Sequence, residues 1–158
     1  MRHALITGLS FGSTSGIITT LGLMVGLNSG IGSKLAVIGG ILIIAIADAF
    51  SDAIGIHVSE ESEAKHTAKQ IWASTIFTFF FKFIFSITFL FPVLWFSLPV
   101  AVAVSVIWGL LLLSVFSFYL AKEQGIEPWK VIAEHLLIAV VVITLTHLAG
   151  TWIKSKFS

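Results

Sequence analysis

The chain has 158 residues, of which 57% are hydrophobic and 11% charged, and its formal net charge is +1. Soluble domains average about 45–50% apolar and about 25% charged residues, so this composition excludes an ordinary soluble domain and predicts an integral membrane protein. The near-neutral charge gives no reason to expect nucleic acid as a partner, and the lack of cysteine excludes disulfides and thiolate chemistry.

Five segments are apolar enough to cross a lipid bilayer, which requires about 20 residues per helix. Their approximate bounds are 6–27, 35–58, 71–92, 98–120 and 131–152. Glycines, prolines and charged residues separate them. The sequence therefore predicts an all-α membrane protein, a five-transmembrane-helix bundle that forms a single transmembrane domain over residues 1–158.

The first span carries two series of glycines at four-residue spacing. The series are Gly8, Gly12 and Gly16, and then Gly22, Gly26 and Gly30. Glycines on one face of a helix leave a flat groove that another helix can approach closely. This pattern predicts tight packing of the first span, either at the centre of the bundle or at a seam between two subunits.

Two aspartates lie inside the second span, which is otherwise apolar. Asp48 and Asp52 are one helical turn apart. A carboxylate in the hydrocarbon core costs about 2.5–3.5 kcal/mol on insertion scales, and repulsion between two neighbouring carboxylates adds to that cost. We therefore expect a cation, a proton or a basic partner at this position, which points to transport through a membrane.

The two aspartates begin a longer polar stripe, provided that the helix continues past the membrane surface. The helical wheel places these residues together: Asp48, Asp52, Gly55, Ser59, Glu63 and His66, with Ser51 beside them. Carboxylate and hydroxyl oxygens suit hard divalent cations. The predicted metal ligands are Asp48, Asp52, Glu60 and Glu63, and the predicted path residues on this span are Ser51 and Ser59. The alternative is that residues 60–69 are only a solvated charged loop.

A lysine lies near the centre of the third span. Lys82 shares a helix face with Thr75, Thr78 and Ser86. Because about ten residues lie on either side of it, its ammonium cannot easily reach the membrane surface. We expect it to pair with Asp48 or Asp52, either as a fixed structural ion pair or as a transport-path residue that exchanges its carboxylate partner with the transported ion.

The distribution of basic residues predicts the orientation. With a cytoplasmic amino terminus, the inner side carries Arg2, Lys65, Lys69, Lys122 and Lys130, and the outer side carries Lys34, Lys154 and Lys156. Cytoplasmic loops of membrane proteins hold an excess of lysine and arginine. The small excess here favours an amino terminus in the cytoplasm.

Three runs of residues carry a resemblance to a known family. They are the glycine-containing run 12–26, the run 47–59 around the two aspartates, and Thr-His-Leu-Ala-Gly at 146–150. In order and spacing they resemble the first helix, the second helix and the terminal motif of the vacuolar iron transporter family. The resemblance implies a five-helix homodimer that exchanges Fe²⁺ or Mn²⁺ for protons along a path between the subunits, lined by the first two helices.

The chain departs from that family at several positions. The family's first-helix aspartate aligns with Ser15, its second-helix methionine with Asp52 and its second-helix glutamate with Ile56. The helical insert between the second and third spans is reduced to residues 60–69, and Lys82 has no family counterpart. By this resemblance Ser15 lies on the transport path, and the path carboxylate has moved to Asp52.

The leading hypothesis is a proton-coupled transporter of divalent metal cations, with no resident cofactor. The missing methionine removes a soft ligand, which favours harder ions. The alternatives are a membrane transporter for a different substrate and a non-transporting, cation-binding membrane subunit. An aspartyl-protease dyad is disfavoured, since it needs carboxylates from two facing helices, so we do not expect an enzyme.

Overall fold

A computed structural model describes residues 1–157 as five long helices joined by short turns. The helices are α1 (Arg2–Gly30), α2 (Lys34–Ser62), α3 (Ala68–Trp95), α4 (Leu98–Gln124) and α5 (Pro128–Phe157). No strand occurs in this range. All five helices are long and apolar enough to cross a membrane, which confirms the predicted all-helical class and the number of helices that could span.

Helix α1 forms the centre of the bundle, since it contacts each of the other four helices. Its two glycine series face different neighbours. Gly8, Gly12 and Gly16 lie against α3, whereas the series from Gly22 to Gly30 lies against α5. Both predicted grooves are therefore filled by helices of the same chain, and the expectation of a central position for the first span is confirmed.

The contact at Gly12 predicts a measurable loss of stability on substitution. A methyl group at Gly12 would lie 2.7 Å from the Thr78 carbonyl oxygen, so α1 and α3 would have to separate. We expect Gly12→Ala to lower the free energy of unfolding by about 1–3 kcal/mol, as overpacking usually does. Thermal unfolding of the purified protein in detergent measures the effect.

Gly39 on α2 provides the matched control, because nothing lies within 4 Å of a methyl group built there. Alanine favours the helix over glycine by about 0.5–1 kcal/mol, so Gly39→Ala is expected to stabilise the protein slightly. Equal shifts of the same sign in the two variants would contradict the packing described for α1.

Helix α2 contains a wide turn just before its aspartates. The segment Lys34–Ile43 is α-helical, Ile44–Asp48 forms a π-helical turn, and Ala49–Ser62 is α-helical again. A π turn inserts an extra residue and changes the direction of the side chains that follow, and such turns occur frequently at functional sites. Asp48 is the last residue of this turn.

Helix α3 is interrupted near its end, at Phe89, between the segments Ala68–Thr88 and Leu90–Trp95. Pro92 explains the break, because its ring crowds the carbonyl four residues earlier and it has no N–H to donate. The third span was expected to end at Pro92, but the helix resumes and reaches Trp95. Lys34 donates hydrogen bonds to the Leu94 and Phe96 carbonyls there, at 3.2 and 3.1 Å.

Candidate functional site

Lys82 lies at the centre of a closed polar network between three helices. Its side chain is 0% exposed, and its Nζ is 2.6 Å from Asp48 Oδ2 and also contacts Asp52 Oδ2. The same Nζ donates a hydrogen bond of 2.9 Å to Ser15 Oγ. The three N–H groups of the ammonium thus have three acceptors, and the predicted pairing with an aspartate involves both aspartates.

The serine completes this network. Ser15 Oγ accepts from Lys82 and donates its own proton to Asp52 Oδ2 at 2.6 Å. Ser15 therefore contacts Asp52, one of the two aspartates that the sequence predicts as metal ligands. A hydroxyl that bridges a cation and an anion holds both side chains in one geometry, because each of its hydrogen bonds is charge-assisted.

The glycine groove of α1 makes this geometry possible. A methyl group at Gly16 would lie 3.3 Å from both Cα and Cγ of Lys82, so the aliphatic part of the lysine lies directly on the α1 backbone. On α3, Thr75, Thr78 and Ser86 are buried on the same side as Lys82, as the helix periodicity predicts. The lysine is therefore enclosed by α1 and α3, and its ammonium reaches Ser15 on α1 and the two aspartates on α2.

The network is closed on the lysine side and open on the carboxylate side. The side chains of Asp48 and Asp52 are 37% and 21% exposed, whereas Lys82 is fully enclosed. With all three groups ionised, the site carries one net negative charge. A cation that approaches along α2 would therefore meet carboxylate oxygens first, with the ammonium behind them.

The two serines predicted to line the path lie on the outer surface of α2. Ser51 and Ser59 are exposed, and nothing lies within 4 Å of a methyl group built on Gly55 between them. The inner face of α2 consists of the small residues Ala45, Ala49 and Ala53. The aspartates lie at the edge between these two faces, which lets Lys82 reach them from α3.

The two glutamates predicted as metal ligands are separated from the aspartates and from each other. Glu60 is buried, and its Oε1 is 3.2 Å from His3 Nε2. Glu63 is exposed just after α2 ends, 3.7 Å from Lys65 Nζ. Among residues 1–157, no group of three or more His, Cys, Asp or Glu side chains is already positioned to hold a metal ion.

Comparison of the chain with known protein families, with curated proteins and with solved structures finds no match. The functional interpretation therefore depends on the residues themselves. Its strongest element is the buried lysine with its two carboxylates, because intramembrane ionisable groups normally mark ion or proton pathways.

One polar contact between α2 and α3, made by His57, was not predicted from the sequence. His57 follows Asp52 on α2, its Nδ1 lies 2.9 Å from Thr75 Oγ1, and its ring meets Trp72 edge-on at 4.6 Å between ring centroids. The helix position of His57 lies about 140° from that of Asp52 at about 100° per residue, so the stripe used for prediction did not include it. The polar face of α3, which includes Thr75, was the sequence feature that could have predicted a polar partner such as His57.

Proposed function

We propose that the protein is a proton-coupled transporter of divalent metal cations such as Fe²⁺ or Mn²⁺, with Asp48 and Asp52 as ligands of the transported ion. The observation that carries this proposal is the fully buried ammonium of Lys82 between the two carboxylates. A buried ion pair contributes little to stability compared with well-packed apolar residues. A role in transport gives a reason for keeping it.

Lys82 acts in this proposal as an internal cation that competes with the transported ion. When a divalent cation reaches Asp48 and Asp52, its two charges balance both carboxylates, and the ammonium is left without a counter-ion. Lys82 then gives up one proton from Nζ, which leaves by the partly exposed carboxylate side of the site, and stays as a neutral amine. When the ion leaves, Nζ takes up a proton again, so ion and proton occupy the site in turn.

The resemblance to vacuolar iron transporters supports the same proposal. The position at which that family carries an aspartate is occupied here by Ser15, whose hydroxyl donates to Asp52. A carboxylate on α2 thus lies beside the place where the family has one on the first helix. Oxygen ligands without a methionine sulfur favour Mn²⁺ and other hard ions over softer ones.

The proposed transporter is a homodimer whose amino termini lie in the cytoplasm. The outer face of α2 exposes Ser51, Gly55 and Ser59, and polar groups facing lipid hydrocarbon are unfavourable. A second subunit that covers this face would enclose the open side of the aspartate pair and form the second wall of the path. Symmetric dimers are the commonest soluble assemblies, and small residues favour close helix contacts in membranes.

One observation favours a transporter for a different substrate as the second candidate. The site carries a single net negative charge when its three groups are ionised, which one monovalent cation would balance without proton release. The same geometry therefore suits Na⁺ or another small monovalent ion, and the test must include one.

Flux into proteoliposomes that contain a pH-sensitive dye tests the proposal. Fe²⁺, Mn²⁺, Co²⁺, Zn²⁺, Ca²⁺ and Na⁺ are compared side by side. We expect uptake of divalent ions with opposite movement of protons. Movement of Na⁺ alone would favour the second candidate. Binding without flux of any ion, from a folded dimer, would instead indicate a non-transporting cation-binding subunit.

A further inference from the structure

A second cluster of metal-type ligands lies where α2 ends, and we call it the terminal cluster. It consists of His3 from α1, Glu60 from α2 and His66 from the turn before α3. His3 Nε2 is 3.2 Å from Glu60 Oε1, and the His3 and His66 rings stack with 4.4 Å between their centroids. Along the helix, Glu60 is eight residues from Asp52, or about 12 Å at about 1.5 Å per residue.

The carboxylate of Glu60 is unusual for its position. The residue is only 6% exposed, and its Oε2 is buried without a hydrogen-bond partner. A buried charged oxygen without a partner costs several kcal/mol at most sites, and it calls for an explanation such as a bound ion or water. The basic residues next to the two histidines in sequence are not partners of Glu60 Oε2, because Arg2 pairs with Glu123 and Lys65 with Glu63.

The ligand chemistry of the terminal cluster differs from that of the central site. Two imidazoles and one carboxylate form a ligand set that first-row transition metals favour, and iron(II) sites frequently use it. Calcium and magnesium prefer sites made entirely of oxygen. Solvent reaches the cluster at His3, whose side chain is half-exposed, whereas the Glu60 side chain is buried.

We propose that His3, Glu60 and His66 bind one transition-metal ion, such as Fe²⁺, Co²⁺ or Zn²⁺, at this end of the bundle. In the part of the chain that the structure describes, these side chains do not yet surround a single point, and the His3 and His66 rings are stacked on each other. Binding turns His66 out of the stack so that one nitrogen of each ring and Glu60 Oε2 face the ion. His66 lies in a bend between helices, where such a rotation leaves the helices unchanged.

This second site is distinct from the proposed transport site, and its test does not depend on transport. Co²⁺ serves as the probe, because its visible absorption bands shift and become more intense when protein ligands replace its water and lower its coordination number. The titration uses the full-length protein in detergent with Asp52→Asn as the background, which disables the central site. We expect one bound Co²⁺, displaced by Zn²⁺ and not by Ca²⁺.

Single substitutions then identify the ligands. Glu60→Gln and His66→Gln are each expected to weaken Co²⁺ binding at least about tenfold, the lower end of the effect of losing even a supporting residue around a metal. His147→Gln is the matched control, because this histidine bonds Ser29 near the opposite end of α1. Thermal unfolding checks that each variant folds. If Glu60→Gln does not fold, His66→Gln still decides the test, because His66 lies outside the helices.

Unchanged Co²⁺ affinity in His66→Gln, or equal displacement by Ca²⁺ and Zn²⁺, would overturn the proposal. Absence of bound Co²⁺ in the Asp52→Asn background would do the same. These outcomes leave the transport proposal untouched, since flux is measured separately with the wild-type protein. Conversely, a protein that shows no metal flux but still binds Co²⁺ through His66 would support the metal site at the terminal cluster and contradict the proposed transport function.

Discussion

Replacement of Asp52 by asparagine is expected to abolish metal-dependent proton exchange at low micromolar metal. Asparagine keeps the shape of the side chain and still accepts hydrogen bonds from Lys82 and Ser15, so the helices stay in place. Lys82 then forms a one-to-one pair with Asp48, and the site has no net negative charge for a cation. Hydrogen bonds to charged groups contribute about 1.5–3 kcal/mol, and a loss of this size lowers an affinity by about 10- to 150-fold.

Flux of Mn²⁺ and internal pH, recorded together in proteoliposomes, measure this effect. Glu127→Gln is the control for a carboxylate-to-amide change, because Glu127 lies just before α5, is exposed and pairs with Lys130. Its flux is expected to match that of the wild type. Unchanged Mn²⁺ flux in Asp52→Asn would refute the role given to this carboxylate.

Replacement of Lys82 by methionine is expected to make folding dependent on metal ions. The substitution leaves Asp48 and Asp52 one turn apart without their counter-ion. Removing one partner of a buried ion pair costs about 3–5 kcal/mol. A divalent cation that binds both carboxylates replaces the missing charge, and at about 100 times its dissociation constant it returns about 2.7 kcal/mol. Methionine fits the same enclosed space against Gly16.

Thermal unfolding with and without Mn²⁺ measures this rescue. The stabilisation by Mn²⁺ should be larger in Lys82→Met than in the wild type, because no ammonium competes with the ion. Any remaining flux should no longer move protons. Lys122→Met, at an exposed position near the end of α4, should show neither change. A Lys82→Met protein as stable as the wild type without metal would contradict the competition mechanism.

Hydropathy alone predicted the five helices, because a membrane span is a local property of about 20 residues. The glycine series also predicted correctly that α1 would be closely packed. The π turn at Ile44–Asp48 and the break at Phe89 were not predicted. Both depend on backbone hydrogen bonding, and only the break has a local cause in the sequence, at Pro92.

The site was predicted in part. The need to neutralise Lys82 in an apolar span was enough to predict its pairing with an aspartate, since the predicted spans offered no other acidic partner at that depth. The contact of His3 with Glu60 joins residues 57 positions apart, and nothing in the local pattern indicates it. The stripe that predicted Ser59 and Glu63 as neighbours of the aspartates treated α2 as isolated. Packing against α1 and α3 decides which edge of that helix faces inward.

The ion pair between α2 and α3 also has a consequence for biosynthesis. If α2 and α3 cross a membrane, each helix alone would bring uncompensated charge into the hydrocarbon core, at about 2.5–3.5 kcal/mol per group on insertion scales. The two helices are consecutive and are joined by a turn of only a few residues between Ser62 and Ala68. If they leave the insertion machinery together as a helical hairpin, Lys82 neutralises one carboxylate before either helix is exposed to lipid. The short turn therefore favours co-insertion of this pair over insertion one helix at a time.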